Sequence, residues 1–430
     1  MKLIGIDIGT TSICGVSVDA SSGEIVKSLT KQNKSFIKSD KPYERIQNPD
    51  IIMDSVYGIV SELGLDDVAA IGFSGQMHGI VYTDAAGKAV SPLYTWQDER
   101  ASIEYEQGKS YANHLGCYAG YGLATDFYND KNGIVPDNAV SLCTIADYAV
   151  MQLCGMQKPL VHITNAASLG CFDTDRNCFT ISNPRIPDVT TAFVSAGKYK
   201  DIPVCVALGD NQASFIGSVS DTDDVLINVG TGSQISWLTE THVSCDGVEN
   251  RPFDGKHFLA AGCALCGGRA FAMLEKFFRE IAALAGCEAD SLYTQIDDLL
   301  KNKTETTLVT DCRFCGTRND PSVRGSISNI SESNFTPADM ALSVLNGMVS
   351  ELYDMFKNGG KTAKRLVCSG NGTRKNAPLR RIASEMFGCE IKIPLYAEEA
   401  SYGAALAASV ACGINGNISE ACRLIKYREN

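Results

Sequence analysis

One seven-residue turn occurs twice in this chain. Ile6-Asp7-Ile8-Gly9-Thr10-Thr11-Ser12 is matched 221 residues later by Ile227-Asn228-Val229-Gly230-Thr231-Gly232-Ser233. Each copy is an apolar strand that enters a Gly-Thr turn and leaves in a second apolar run. Glycine lets the backbone approach an anion closely, while amides and hydroxyls donate to phosphate oxygens. One such turn in each half predicts two related lobes gripping a polyphosphate. The copies differ where chemistry requires it. Asp7 has a carboxylate suited to Mg²⁺, and Asn228 does not.

The length of 430 residues fits roughly two to four domains, and so two large lobes. A net charge of −12 argues against a nucleic-acid or anionic-membrane partner, which would need basic surface. It does not argue against ATP, whose charge Mg²⁺ and backbone amides meet locally. Met1-Lys2-Leu3-Ile4-Gly5 reads as a strand rather than a signal peptide, and no apolar stretch approaches about 18 residues. A cytoplasmic location is expected. Seventeen cysteines are scattered, odd in number and set in apolar runs, the pattern of reduced buried thiols. Cys263/Cys266 and Cys312/Cys315 have zinc-ligand spacing but lie outside a compact knuckle, so ordinary packing is the preferred reading.

Periodicity predicts a helix over Ile51 to Leu63 stopped by Gly64, and a buried strand over Val68 to Ser74. It predicts a further helix over Ser141 to Leu153. A polar break at Ser218 to Asp224 sets the expected lobe boundary, giving domains 1–218 and 219–430. The second half follows a similar plan, with strands over Val225 to Leu238, then helices over Arg269 to Leu284 and Pro337 to Asn358. A strand over Arg365 to Cys368 and a helix over Pro378 to Phe387 follow. The last helix, Glu399 to Ala411, is rich in small residues and suited to close packing. Mixed strands and helices in two repeated halves predict an α/β class.

The motifs, taken in order, resemble those of the FGGY carbohydrate kinases within the actin-like ATPase superfamily. Asp7-x-Gly9-Thr10-Thr11-Ser12 is similar to the first phosphate motif, and Gly230-Thr231-Gly232 to the second. Gly75-Gln76-Met77-His78-Gly79 resembles the ketose-binding stretch, and Trp96-Gln97-Asp98-x-Arg100 the W-x-D-x-R segment. Leu208-Gly209-Asp210-Asn211-Gln212-Ala213 resembles the catalytic-aspartate motif. Ser369-Gly370-Asn371-Gly372-Thr373-Arg374-Lys375-Asn376 resembles the adenosine segment. The resemblance implies two ribonuclease H-like lobes with an interlobe active-site cleft. It also implies ATP and Mg²⁺ as cofactors and a sugar as acceptor. Gly120-Tyr121-Gly122-Leu123-Ala124-Thr125, Asp147-Tyr148, Thr164-Asn165-Ala166-Ala167-Ser168 and Asp320-Pro321-Ser322-Val323-Arg324-Gly325-Ser326 point further, to sedoheptulose. Xylulose, or another ketose or polyol, is the alternative.

Phosphoryl transfer asks for an activated hydroxyl, a metal, phosphate donors and in-line geometry. Asp210, behind an apolar strand and Gly209, is the expected general base, with a helix N-cap as its bland alternative. Asp7 is expected to orient Mg²⁺ through water, its alternative being a turn-capping aspartate. Thr10, Thr11 and Ser12 would contact phosphates from one lobe, and Thr231 and Gly232 from the other. Gly268 would add a helix N-terminal amide, and Gly372 and Asn376 would lie against the nucleoside. The sugar would meet Gln76, Met77, His78, Trp96, Asp98, Tyr121, Asp210 and Asn211. Trp96 reads equally as core, His78 also as a structural histidine, and Asp98 and Arg100 can pair with each other.

Two departures stand out: Cys14 holds a position that is often basic in the family, and Asp126-Phe127-Tyr128-Asn129-Asp130 replaces a more apolar stretch. Family analogy alone allows a homodimer. A nucleotide-driven switch would share the lobes but not the sugar motifs or Asp210. A sugar-sensing regulator would need a basic DNA-binding helix, and none flanks the lobes.

Overall fold

The computed structural model describes residues 1–318 and 320–429. They form two compact units, neither a contiguous half. The first comprises Met1–Ser220, Arg251–His257 and Glu398–Lys426. The second comprises Asp221–Asn250, Phe258–Ala397 and the chain from Tyr427 on.

The first unit is built on a sheet whose central strand, Lys2–Ile8, is apolar on both faces, with Leu3, Ile4, Ile6 and Ile8 fully buried. Ser12–Asp19 and then Ile25–Gln32 extend it antiparallel on one side. Val68–Gly75 and then Ile202–Cys205 extend it parallel on the other. The helix Pro49–Leu63 starts where the Asn48 side chain accepts from the Asp50 and Ile51 amides, and stops at Gly64. Its buried face presents Ile52, Val56, Ile59 and Leu63 to the sheet. The opposite face is covered by Glu399–Ala411, whose small residues let backbones meet. A Cβ on Gly5 would fall 1.8 Å from the Ser401 carbonyl oxygen, and one on Gly72 would fall 1.9 Å from that of Ala404. The segment expected as a helix from Ser141 divides in two. Ser141–Cys143 pairs as a strand with Val81–Thr83, and the helix is Ile145–Cys154, capped by Thr144. Apolar periodicity continues across that junction and hides it, whereas the Thr144–Asp147 capping contact defines it.

The second unit repeats the strand order. Val225–Val229 is central, with Ser233–Thr239 and Phe258–Ala264 antiparallel on one side and Arg365–Ser369 and Glu390–Lys392 parallel on the other. Even the register repeats: Asp7 lies opposite Ser74, and Asn228 opposite Ser369. The 22-residue helix Pro337–Asn358 begins at a Thr336 cap and buries Leu342, Leu345, Val349 and Leu352. Trp237, 1% exposed, packs edge-on against Phe356 at its far end. Asp224 and Arg365 form a two-pronged ion pair, with contacts of 2.9 and 2.8 Å, at the start of the central strand. Among the described residues no helix is long and apolar enough to cross a membrane.

Candidate active site

The first turn is held by its carbonyls. Asn33 donates from Nδ2 to the Gly9 carbonyl (3.0 Å) and from its backbone amide to that of Thr11 (2.9 Å). Gln47 Nε2 donates to the Thr10 carbonyl (2.9 Å). With three carbonyl oxygens tied down, amides and hydroxyls are what the turn has left to offer an anion. The Thr10 hydroxyl is already engaged, accepting from Trp96 Nε1 at 3.0 Å and donating to Gln76 Oε1 at 3.4 Å. Thr11 is exposed and Ser12 partly so.

Asp7 ends the central strand and accepts from Ser74 Oγ at 2.8 Å. Burial and the nearby carboxylate of Asp210 push its carboxyl up to about 7. Asp210 opens the short helix Asp210–Ile216 and makes no side-chain cap, so the N-cap alternative does not describe it. The strand Leu208–Gly209 pairs with Ser74–Gly75, and Asp7 also lies opposite Ser74, so the two aspartates flank the same end of Val68–Gly75 from either side. A Cβ on Gly209 would press on Met77 Cε and Gln212 Oε1, both at 2.8 Å, and those side chains would have to give way. Burial raises the Asp210 carboxyl, and the Arg251 guanidinium and the Asn211 amides pull it back. Asn211 Nδ2 donates to Asp210 Oδ1 (3.0 Å) and approaches Met77 Sδ (3.7 Å). Two crowded carboxylates form a donor set that favours a cation. Among the described residues no three metal-ligating side chains converge. A Mg²⁺ ion that keeps its waters and phosphate ligands fits one carboxylate of this kind.

His78 follows Met77 with φ +72°, an uncommon backbone for a non-glycine residue. Two bonds to Ser168 hold it there: its amide donates to Oγ (3.1 Å), and Nδ1 lies 2.8 Å from the carbonyl oxygen. Its ring stacks on Tyr121 at 4.5 Å with an 8° tilt. Gly120 ties Tyr121 to Trp96, because a Cβ there would fall 2.0 Å from the Trp96 carbonyl oxygen. Trp96 is 46% exposed, so the core reading of that residue is excluded.

Two of the expected sugar residues point elsewhere. Gln76, 3% exposed, bonds Gln47 and the Thr10 hydroxyl and so braces the phosphate turn. Asp98 is fully buried and bonds Arg100 at 2.7 and 3.1 Å and the Arg45 amide at 3.0 Å. The pair with Arg100, rather than a sugar hydroxyl, occupies it. The polar run around Asp126 is likewise internal. Asp126 accepts from Tyr82, Asn183 and Arg185, and Asn129 from Arg100.

In the second unit a cleft of about 670 Å³ is lined by Gly230, Thr231, Gly268, Gly372 and Asn376 among others. That volume suits a nucleotide-sized ligand. Phe271 and Tyr293 stand in its wall, ring centroids 5.8 Å apart, an apolar surface for a planar base. Asn376 Oδ1 caps the helix Ala377–Phe387 through the Leu379 amide (2.8 Å), so its NH₂ is the group left for a ligand. The Gly268 amide donates to the Gly230 carbonyl, and that of Arg269 to the Thr231 carbonyl, both at 3.0 Å. Gly268 thus shapes the turn, and its own amide is not held out for phosphate. Gly232 packs beneath, where a Cβ would meet the Ala264 carbonyl oxygen at 3.0 Å.

Comparison with known proteins accounts for both units. The N-terminal domain of the FGGY family of carbohydrate kinases matches residues 2–131, and its C-terminal domain matches residues 225–412. The chain belongs to the FGGY family of carbohydrate kinases. Human sedoheptulokinase is 27% identical, the match covering 89% of this chain and 92% of the relative. Xylulose kinase of Staphylococcus xylosus is 25% identical over 95% of this chain and 90% of the relative. The solved xylulose kinase of Lactobacillus acidophilus superposes with a TM-score of 0.81 at 21% identity, covering 100% of this chain and 93% of that one. The fold is the two-lobe actin-like ATPase fold, and the protein is an ATP-dependent carbohydrate kinase.

Sequence reasoning missed several residues of this FGGY kinase. Arg251 lies in a short segment that joins the first unit from far along the chain, with no motif around it. Asn33 and Gln47 brace the first turn through polar contacts that no spacing rule shows, and Ser168, in the Thr164–Ser168 stretch noted above, orients His78, a role its motif did not assign. Cys14, at the expected basic position, receives the Ser401 hydroxyl at 3.5 Å. Arg251 is a cation acting on Asp210.

Proposed function

We propose that this kinase phosphorylates a ketose at its terminal hydroxyl, and that the sugar is sedoheptulose. The observation carrying the reaction is the setting of Asp210: it opens a short helix without capping it, its carboxylate accepts from Asn211, and Arg251 offsets the effect of burial. In this reading the sugar lies against His78, Tyr121, Trp96 and Met77, with Asn211 addressing a hydroxyl. Asp210 accepts the terminal hydroxyl's proton as that oxygen attacks the γ-phosphorus, and the bond to the β-phosphate oxygen breaks to release ADP. Asp7 would hold Mg²⁺, which would neutralise charge on the phosphate oxygens. Thr11, Ser12, Thr231 and the turn amides bind phosphates, and Gly372, Asn376, Phe271 and Tyr293 hold the nucleoside.

Sedoheptulose is favoured by the match to human sedoheptulokinase, and xylulose is kept as a second reading by the match to xylulose kinases. The deciding experiment is ADP release from MgATP with sedoheptulose, xylulose, ribulose, fructose and glycerol, ranked by kcat/KM. Sedoheptulose should lead. Preference for xylulose keeps the mechanism and replaces the sugar, and no stimulation by any sugar removes the reading.

A further inference from the structure

Two cysteines meet next to the loop that carries Tyr121. Cys117 Sγ and Cys171 Sγ are 3.4 Å apart, both partly exposed, and both face the Leu115 carbonyl, at 3.7 and 3.9 Å. Cys117 begins the short loop that ends at Tyr121. Cys171 follows Gly170, and its own backbone is left-handed at φ +49°. A Cβ on Gly170 would fall 2.8 Å from Cys117 Sγ and 3.1 Å from the Tyr121 ring. Thiol, glycine and aromatic ring therefore share one contact. The Leu169 carbonyl accepts from the Leu123 amide (2.8 Å), which ties the Cys171 segment to the helix that Tyr121 precedes. Ser168, three residues before Cys171, is the residue that holds His78. Each sulfur is thus attached to a segment that supports one ring of the stack.

We propose that Cys117 and Cys171 are a reversible disulfide site that sets sugar affinity, open in the reduced protein and closed by peroxide. Cys117 thiolate attacks the peroxide oxygen, the O–O bond breaks, and hydroxide or an alkoxide leaves, taking up a proton. Cys171 then attacks the resulting sulfenic sulfur, its S–O bond breaks, and water leaves. Two thiols are oxidised to one disulfide by two electrons, and one peroxide is reduced. The hydrogen bond from Cys171 brings the Cys117 thiol down to about 7, which supplies thiolate near neutral pH. Closing the sulfurs from 3.4 Å to a bonded separation of about 2.05 Å draws the two segments together. The Tyr121 ring, which a Cβ on Gly170 would meet at 3.1 Å, would then shift relative to His78. The effect on sugar rests on the ketose-kinase reading above; the cross-link itself does not.

The test treats the full chain with equimolar hydrogen peroxide, then alkylates and digests it for peptide mass mapping. Sugar and ATP KM are measured on the same sample. A Cys117–Cys171 linked peptide is expected, with sugar KM raised by at least about tenfold, ATP KM unchanged, and full reversal by dithiothreitol. Cys171→Ser and, independently, Cys117→Ala should abolish both the link and the KM shift. Oxidation of exposed Cys178 and Cys287 without the link overturns the proposal, as does a link that leaves sugar KM unmoved. Failure of the kinase reading looks different: the reduced chain would show no sugar-stimulated ADP release, while the linked peptide would still form.

Discussion

The two Gly-Thr turns are the same structure held in two ways. In the first, the carbonyls of Gly9, Thr10 and Thr11 are bonded by Asn33 and Gln47 from the segments that follow. In the second, Gly230 and Thr231 are bonded by the first amides of the helix Gly268–Leu284, and the Gly232 carbonyl by Gly230's own amide. Both solutions keep carbonyl oxygens out of the anion's way, the shared requirement of a phosphate turn. The difference lies one step earlier. Asp7 and Asn228 stand at equivalent register positions, opposite Ser74 and Ser369. Asp7 is a carboxylate crowded by Asp210. Asn228 is an uncharged amide beside Gly370, where a Cβ would fall 2.7 Å from its Oδ1. On the proposed mechanism, one framework serves two tasks, the first copy metal and proton transfer and the second nucleotide binding.

Exchanging the two residues is the strongest way to break this contrast. Asp7→Asn should lower kcat/KM and weaken the response to Mg²⁺ by roughly 10–100-fold. Asn228→Asp should do far less, and equal losses in the two titrations would remove the asymmetry. A second contrast concerns what each unit buries. His162 is held down to about 4 by burial in the first unit. Its folded value lies below the unfolded one, so its contribution is present above about pH 6.5 and lost as pH falls toward 4. Glu351 in the second unit is raised to about 7, by burial first and by Asp311. Its contribution is present below about pH 4.5 and lost as pH rises through 7. Urea midpoints against pH should lose their acid-side slope in His162→Asn and their neutral-side slope in Glu351→Gln. The smallest contrast is steric. A Cβ on Gly9 would meet the Ser12 carbonyl oxygen at 2.8 Å, whereas one on Gly230 finds its nearest atom at 3.9 Å. Gly9→Ala should cost about 1–3 kcal/mol of stability, and Gly230→Ala less than about 0.5 kcal/mol. Any rise in ATP KM for Gly230→Ala then reports on the ligand rather than on folding.

What was legible in the sequence follows from what is local. The turns and the helix stop at Gly64 are each encoded within a few neighbours, whereas the apolar run before Gly209-Asp210 breaks at Val206-Ala207 into the strands Ile202–Cys205 and Leu208–Gly209. Facing direction was not. Gln76 and Asp98 sit in the right motifs, yet their partners, Gln47, Arg45 and Arg100, turn them inward to brace the site. Polar side chains carry no mark of whether they address a ligand or a neighbouring chain segment. Long-range membership was hidden as well. The helix Glu399–Ala411 follows the adenosine segment in the chain but packs on the first unit's sheet, through glycine contacts that only the assembled sheet creates. Arg251 reaches Asp210 for the same reason.

Whether Asp210 is the base is decided by the initial rate of ADP release from MgATP, with and without sedoheptulose, in the wild-type chain and in Asp210→Asn. Sugar-stimulated release is expected in the wild type. In the variant that stimulation should fall by about 10²–10⁴-fold, while ATP binding measured by calorimetry is retained. Sugar-stimulated release in Asp210→Asn close to the wild-type rate would contradict the assignment.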